Sequence, residues 1–131
     1  MLKVAFATQK GGSGKTTCAT HLGVAATLKA KRDQTRQAVF VDADRQGSLA
    51  WWWSQRTPEH PRLAKSTLDG LPDVIATLEE AGFRNLVIDT PPNVDVEIRK
   101  VVRVVDFVLI PVEPSPLDLV SAQETAEMCR K

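Results

Sequence analysis

Cysteine is scarce, tyrosine is missing, and neither sign of charge outweighs the other. Cys18 and Cys129 are the only two cysteines, too few for a disulfide framework or a metal-ligand cluster, so the expected compartment is a reducing cytoplasm. Lys plus Arg number 17 against 16 Asp plus Glu, a formal net charge of +1. That balance excludes the basic excess of a dedicated nucleic-acid binder and the imbalance of a disordered tail. Long apolar runs are also missing. Phe107 to Pro111 is typical of those present, far short of the roughly 20 residues that cross a bilayer. Residues 1–10 set Lys3 and Gln9 around a short apolar stretch without a small-residue cleavage pattern, which gives no secretory signal. What is there, 43% hydrophobic residues in 131, suffices for one compact domain over residues 1–131.

Four short apolar runs punctuate the chain: Leu2 to Ala7, Ala38 to Val41, Leu86 to Ile88 and Phe107 to Val112. They do not alternate with polar residues, which is how strands buried on both faces read. Between them lie segments of helical spacing. Thr16 to Ala30 is expected to bury Cys18, Leu22, Ala25 and Ala26; Leu71 to Ala81 carries Leu71, Val74, Ile75 and Leu78 and stops at Gly82. Val94 to Val105 repeats Val94, Ile98, Val101, Val102 and Val105. A last helix opens with Ser115 as cap, Pro116 at its first position and Asp118 three residues after the cap. Residues 54–69, with Pro58, His60 and Pro61, read as a loop. Alternating strands and helices predict an α/β fold with a mostly parallel sheet.

The strongest chemical signal is Lys10-Gly11-Gly12-Ser13-Gly14-Lys15-Thr16-Thr17, placed between the first strand and the first helix. Gly14-Lys15-Thr16 fits the end of a phosphate-binding loop, although Gln9 stands where the first glycine of that spacing belongs. A glycine pair, Gly11 and Gly12, and a second lysine, Lys10, stand nearby instead. Glycines let the backbone N–H groups approach phosphate oxygens, and the helix N-terminus adds positive potential. Lys15 is the expected partner of the β and γ phosphates, and the Thr16 hydroxyl the expected Mg²⁺ ligand. Asp44 and Asp89 follow apolar strands, at the strand ends where α/β proteins bind ligands. Asp42 is a second metal-side candidate or, equally, a carboxylate that caps a strand end or helix.

The loop resembles the deviant Walker A motif of the ParA/MinD family of P-loop ATPases, especially the small plasmid-type partition ATPases. Phe40 to Ser48, containing Asp42-Ala43-Asp44-Arg45-Gln46-Gly47, resembles the second motif of that family; Leu86 to Pro92 resembles its Walker B and switch segment, and Leu109 to Asp118 its Pro-rich loop. The resemblance implies an ATPase that binds ATP and Mg²⁺ at Gly11, Gly12, Ser13, Gly14, Lys15, Thr16 and Thr17. It implies that Lys10 reaches the phosphates held by a second copy in an ATP-sandwich dimer, that Asp44 orients the attacking water, and that Asp89 holds Mg²⁺ through water. It further implies non-specific DNA binding, a centromere-bound ParB-like partner and a role in plasmid or chromosome partitioning. A membrane-binding terminal helix is not expected, because Leu117 to Lys131 is acidic early and short of apolar bulk.

The sequence departs from that family in four places. Arg45 stands where proline is usual. Trp51, Trp52 and Trp53 point about 100° apart on a helix, so at least one is expected at the surface, either for a partner or beside the 54–69 loop. Lys29, Lys31, Arg32 and Arg36 are candidates for DNA phosphates or simply cations at a helix C-terminus. The family's C-terminal strands, with most adenine contacts, are expected to be lacking, leaving an edge strand and an apolar helix face uncovered. The alternative function is therefore a catalytically inactive interaction module that pairs with a full-length relative.

Overall fold

The computed structural model describes residues 1–33, 38–92 and 95–130. Five strands and five helices alternate: β1 (Leu2–Phe6), α1 (Lys15–Arg32), β2 (Ala38–Asp42), α2 (Ser48–Ser54), β3 (Arg62–Lys65), α3 (Leu71–Glu80), β4 (Asn85–Asp89), α4 (Asp95–Val102), β5 (Phe107–Leu109) and α5 (Pro116–Cys129). The strands form one sheet in the order β3-β2-β4-β1-β5, and every pairing is parallel. The α/β expectation holds.

Burial on both faces explains the apolar runs. All five residues of β2 and four of the five in β4 are buried. One cluster joins Val39, Val41, Leu86 and Ile88 to Leu71 and Ile75 of α3 and Val101 of α4. The other joins Phe6, Phe40 and Val87 to Ala19 of α1 and Leu49 of α2. Each of the Val, Leu, Ile and Phe side chains among them, fully buried, contributes about 1.5–3 kcal/mol.

Two sequence expectations are corrected. The segment 54–69 is not all loop: Arg62–Lys65 forms β3, paired in parallel with β2 from Val39↔Arg62 to Asp42↔Lys65. As an edge strand whose ends are exposed and whose middle is half-buried, it needs no apolar run. The buried stripe of α1 is also not Cys18, Leu22, Ala25 and Ala26. It is Lys15, Ala19, Gly23, Thr27 and Ala30, with Thr20 beside them, while Cys18 is exposed. The cause is close approach. A Cβ added at Gly23 would lie 2.0 Å from Cε1 of Phe40, so small side chains rather than greasy ones mark the face against the sheet.

The remaining helices agree with their signals. Ser115 Oγ accepts from the Asp118 N–H at 3.2 Å, with Pro116 next to the cap. Ile98 and Val101 of α4 are fully buried; Val94 lies outside the described residues. Phe107 and Leu109 on β5, and Leu117, Leu119 and Val120 on α5, are exposed. No described helix is long and apolar enough to cross a membrane.

Candidate functional site

Sheet order brings the candidate residues together. β4 lies between β1 and β2, in a register that sets Phe6 opposite Asp89 and Asp42 opposite Asp89. The loop leaving β1 therefore rises beside the carboxyl ends of β4 and β2, the crevice where parallel α/β sheets take ligands. Gly12 and Gly14 adopt φ of +75° and +83°, conformations that other residues adopt only with strain. Gly14 sits immediately before α1, and its carbonyl accepts from the Cys18 N–H at 2.9 Å. Thr8, which the sequence reading passed over, pins the loop. Its Oγ1 donates to the Lys10 carbonyl at 2.7 Å and lies 3.0 Å from Ser13 Oγ.

Gly11 to Thr17 line an open cleft of about 890 Å³ with His21, Asp44, Gln46, Trp51, Trp52 and Pro92 among the other walls. Lys15 is buried at the start of α1, and burial lowers its pKa against the opposing pull of Asp89 and Asp44. Its Nζ lies 3.4 Å from the Lys10 carbonyl. Such an ammonium, shielded from water and held at a helix N-terminus, is poised for an anion.

Asp89 is the most perturbed group. It is 1% exposed, and burial, reinforced by Asp42 and Asp44, lifts its carboxyl to about 6 against the Thr16 hydrogen bond and the Lys15 charge. Thr16 Oγ1 donates to Asp89 Oδ2 at 2.6 Å, whereas the buried Oδ1 has no hydrogen-bond partner. A buried carboxylate oxygen without a donor costs free energy unless a cation or water meets it. The pair thus fits a hard, oxygen-seeking cation such as Mg²⁺. Among the described residues no group of three or more His, Cys, Asp or Glu side chains could cage a metal, so a cation here would share its ligands with a phosphate, as Mg²⁺ commonly does.

Asp42 and Asp44 divide their work differently from that pair. Asp42 Oδ1 accepts from the Asp44 N–H at 3.1 Å and Oδ2 from the Ala50 N–H at 2.8 Å. Both oxygens hold the turn and the first residues of α2, which favours the capping alternative over the metal one. Asp44 Oδ1 accepts from the Gln46 N–H at 2.9 Å, and the residue borders both the phosphate cleft and a second cleft lined by Arg45 and Pro91.

Lys10 is not among the residues lining the phosphate cleft; it lies in a narrower recess next to α5. Its Nζ is 2.5 Å from Asp118 Oδ1, a contact with no local sequence signal. The three tryptophans separate as the helix geometry requires. Trp51 is 68% exposed, Trp52 packs edge-on to Phe40 with ring centres 6.0 Å apart and carries the Arg56 guanidinium at 4.7 Å, and Trp53 Nε1 donates to the Pro61 carbonyl at 2.7 Å. At the end of α1, Lys29 and Arg32 pair with Asp33, as cations at a helix C-terminus do, and Arg36 lies outside the described residues.

Known proteins are similar to this chain in sequence and in fold. A protein named maintenance of carboxysome distribution protein A from Gloeobacter kilaueensis is 41% identical over 125 residues, which cover 93% of this chain and 54% of that protein. Its namesake from Halothiobacillus neapolitanus is 35% identical over 130 residues, 95% and 56% of the two chains. The chain thus spans about half the length of these relatives. A plasmid partition protein from Borrelia burgdorferi shares the fold at a TM-score of 0.75 with 19% identity, covering 99% of this chain and 74% of that one. A Borrelia burgdorferi B31 partition protein solved with AMPPNP gives 0.69 at 20% identity, covering 98% and 70%. Because residues 4–128 match its profile, the chain belongs to the CobQ/CobB/MinD/ParA nucleotide-binding domain family.

Proposed function

We propose that the chain is a Mg²⁺-dependent ATPase of the ParA type, which pairs with a second copy on binding ATP and helps to distribute a cargo in the cell. The observation that carries this reading is the buried Thr16–Asp89 pair with its orphaned oxygen beside Lys15 and the glycine loop. The loop N–H groups and Lys15 would hold the β and γ phosphates, and Thr16 and Asp89 would hold Mg²⁺, directly and through water. Bound there, the ion would offset charge on the phosphate oxygens. Asp44, at the border of the cleft, would orient the attacking water, and Lys10 of each copy would reach the phosphates of the other. Catalysis of this kind is positioning and charge neutralisation.

The relatives support a cargo-distributing role. Two of them are named for carboxysome distribution and the structural neighbours for plasmid partition, so the reading covers partitioning in general, with non-specific DNA as the track and a ParB-like adaptor as the stimulating partner. ATP binding and DNA-stimulated hydrolysis of the purified chain, measured beside Lys15→Ala, test it. Wild-type activity far above that of the variant is expected. A wild type no better than the variant refutes the ATPase and leaves the interaction module.

A further inference from the structure

Lys10 and Asp118 are 108 residues apart and meet at 2.5 Å across the recess between the phosphate loop and α5. The two partners differ in freedom. Asp118 is 8% exposed, and its backbone N–H is fixed by the Ser115 cap at 3.2 Å. The Lys10 side chain is 56% exposed and belongs to a loop containing two positive-φ glycines. A carboxylate in the first turn of a helix is already favoured where it stands, whereas the ammonium on its flexible stem is the member that can leave. Glu113 adds to the negative field at Lys10. The lysine charge is directed to α5 and not to the cleft bordered by Gly11 to Thr17, which it does not line.

We propose that Asp118 is a latch that parks Lys10 in the nucleotide-free chain, so that ATP-driven pairing must first exchange the Asp118 carboxylate for phosphate oxygens. The proposal rests on the pairing reading given above. It makes Asp118 a positioning residue, one that touches no substrate and acts only through Lys10. A latch of this kind would hold the unliganded chain apart and set the threshold at which a phosphate competes successfully for the ammonium.

Two readouts test it. The first needs no nucleotide: an amine-acylating reagent applied to the free chain, with the label at Lys10 counted by mass spectrometry. Pairing keeps the amine protonated and shielded, so Asp118→Asn should speed labelling of Lys10 about fivefold, roughly what a partly exposed ion pair changes, while labelling of Lys31 stays constant. Asp118→Glu should restore slow labelling. The second readout is dimer affinity by sedimentation with Mg²⁺ and a non-hydrolysable ATP analogue. Asp118→Asn should tighten pairing severalfold, and the gain should vanish in Lys10→Ala/Asp118→Asn, a coupling that a merely structural role for Asp118 would not show. Equal labelling of wild type and Asp118→Asn overturns the latch. Faster labelling without tighter pairing overturns the exchange step. Altered labelling in a chain that forms no dimer with any variant refutes the pairing reading and, with it, the exchange, and is thereby distinguished from failure of the ion pair itself.

Discussion

Asp89→Asn should make the nucleotide-free protein more stable while removing its capacity for Mg²⁺·ATP. Burial raises the Asp89 carboxyl from 3.8 to about 6, a shift worth about 3 kcal/mol at 1.36 kcal/mol per pH unit. The folded chain keeps this proton up to about pH 6, whereas the unfolded chain releases it near the ordinary value. Across that interval the folded state binds more protons, so this group's contribution to stability falls as pH rises, and above it the full penalty of a buried charge stands. Asparagine removes the charge and keeps an acceptor for Thr16 Oγ1, but it places an NH₂ donor where Oδ1 has no partner, at a cost of about 1–2 kcal/mol. The net gain at pH 7.5 is roughly 1–2 kcal/mol. For 131 residues, an unfolding entropy of roughly 2.1 cal/mol/K per residue turns this into a Tm rise of about 5 °C. Urea and thermal melts in EDTA at pH 7.5, 6 and 3 provide the assay, and the advantage should disappear by the lowest pH, which lies below both the ordinary and the raised value, so that wild-type Asp89 is largely protonated in both states. A variant that is less stable than wild type at pH 7.5, or whose advantage ignores pH, would refute the buried-charge reasoning.

Gly23→Ala should destabilise the chain by about 1–3 kcal/mol through overpacking, more than the helix-propensity gain of up to about 1 kcal/mol, because the new Cβ falls 2.0 Å from the Phe40 ring. A raised Tm would contradict it. Asp42→Asn leaves one carbonyl oxygen for the two N–H groups of Asp44 and Ala50; a loss of about 1–3 kcal/mol is expected in urea melts, with faster amide exchange at Ala50 as its local signature. Trp51, exposed on the wall of the phosphate cleft, should supply most of any nucleotide-induced change in intrinsic fluorescence. Trp51→Phe should therefore remove that change and Trp53→Phe should not, as titration with Mg²⁺·ATP would reveal.

What was legible in the sequence was whatever is determined locally. The loop Lys10 to Thr17 must deliver backbone N–H groups and a lysine to one point, which fixes a short spacing, and β2 and β4 sit in the centre of the sheet, which forces continuous apolar runs. The Ser115 cap is likewise a matter of three residues. Features set by packing were hidden. β3 pairs along only one edge, with β2, so two half-buried residues, Leu63 and Ala64, suffice and no run announces it. The face of α1 against the sheet was misread because the closeness of Phe40 selects glycine, alanine and threonine there, reversing the usual link between burial and hydrophobicity. The contact between Lys10 and Asp118 depends on α5 returning to the loop, and Asp118 on its own looks only like a helix-start residue.

The strand order also explains why negative charge is costly at Asp89. Placing β4 between β1 and β2 brings Asp89 level with Asp42 and both near Asp44, and the field of each neighbour raises the pKa of Asp89. Lys15 opposes this from the start of α1, yet its own charge is disfavoured by burial. Lys10 is engaged by Asp118. Lys15 thus meets the field of two carboxylates, Asp89 and Asp44, while Asp42 is held by backbone N–H groups. A nucleotide alone would bring more negative charge to this crevice, and a cation alone would lack the oxygens to complete its coordination among these side chains. Together they would satisfy the orphaned oxygen of Asp89 and the charge of Lys15 at once, so that in the function proposed above binding of metal and of phosphate would be mutually dependent.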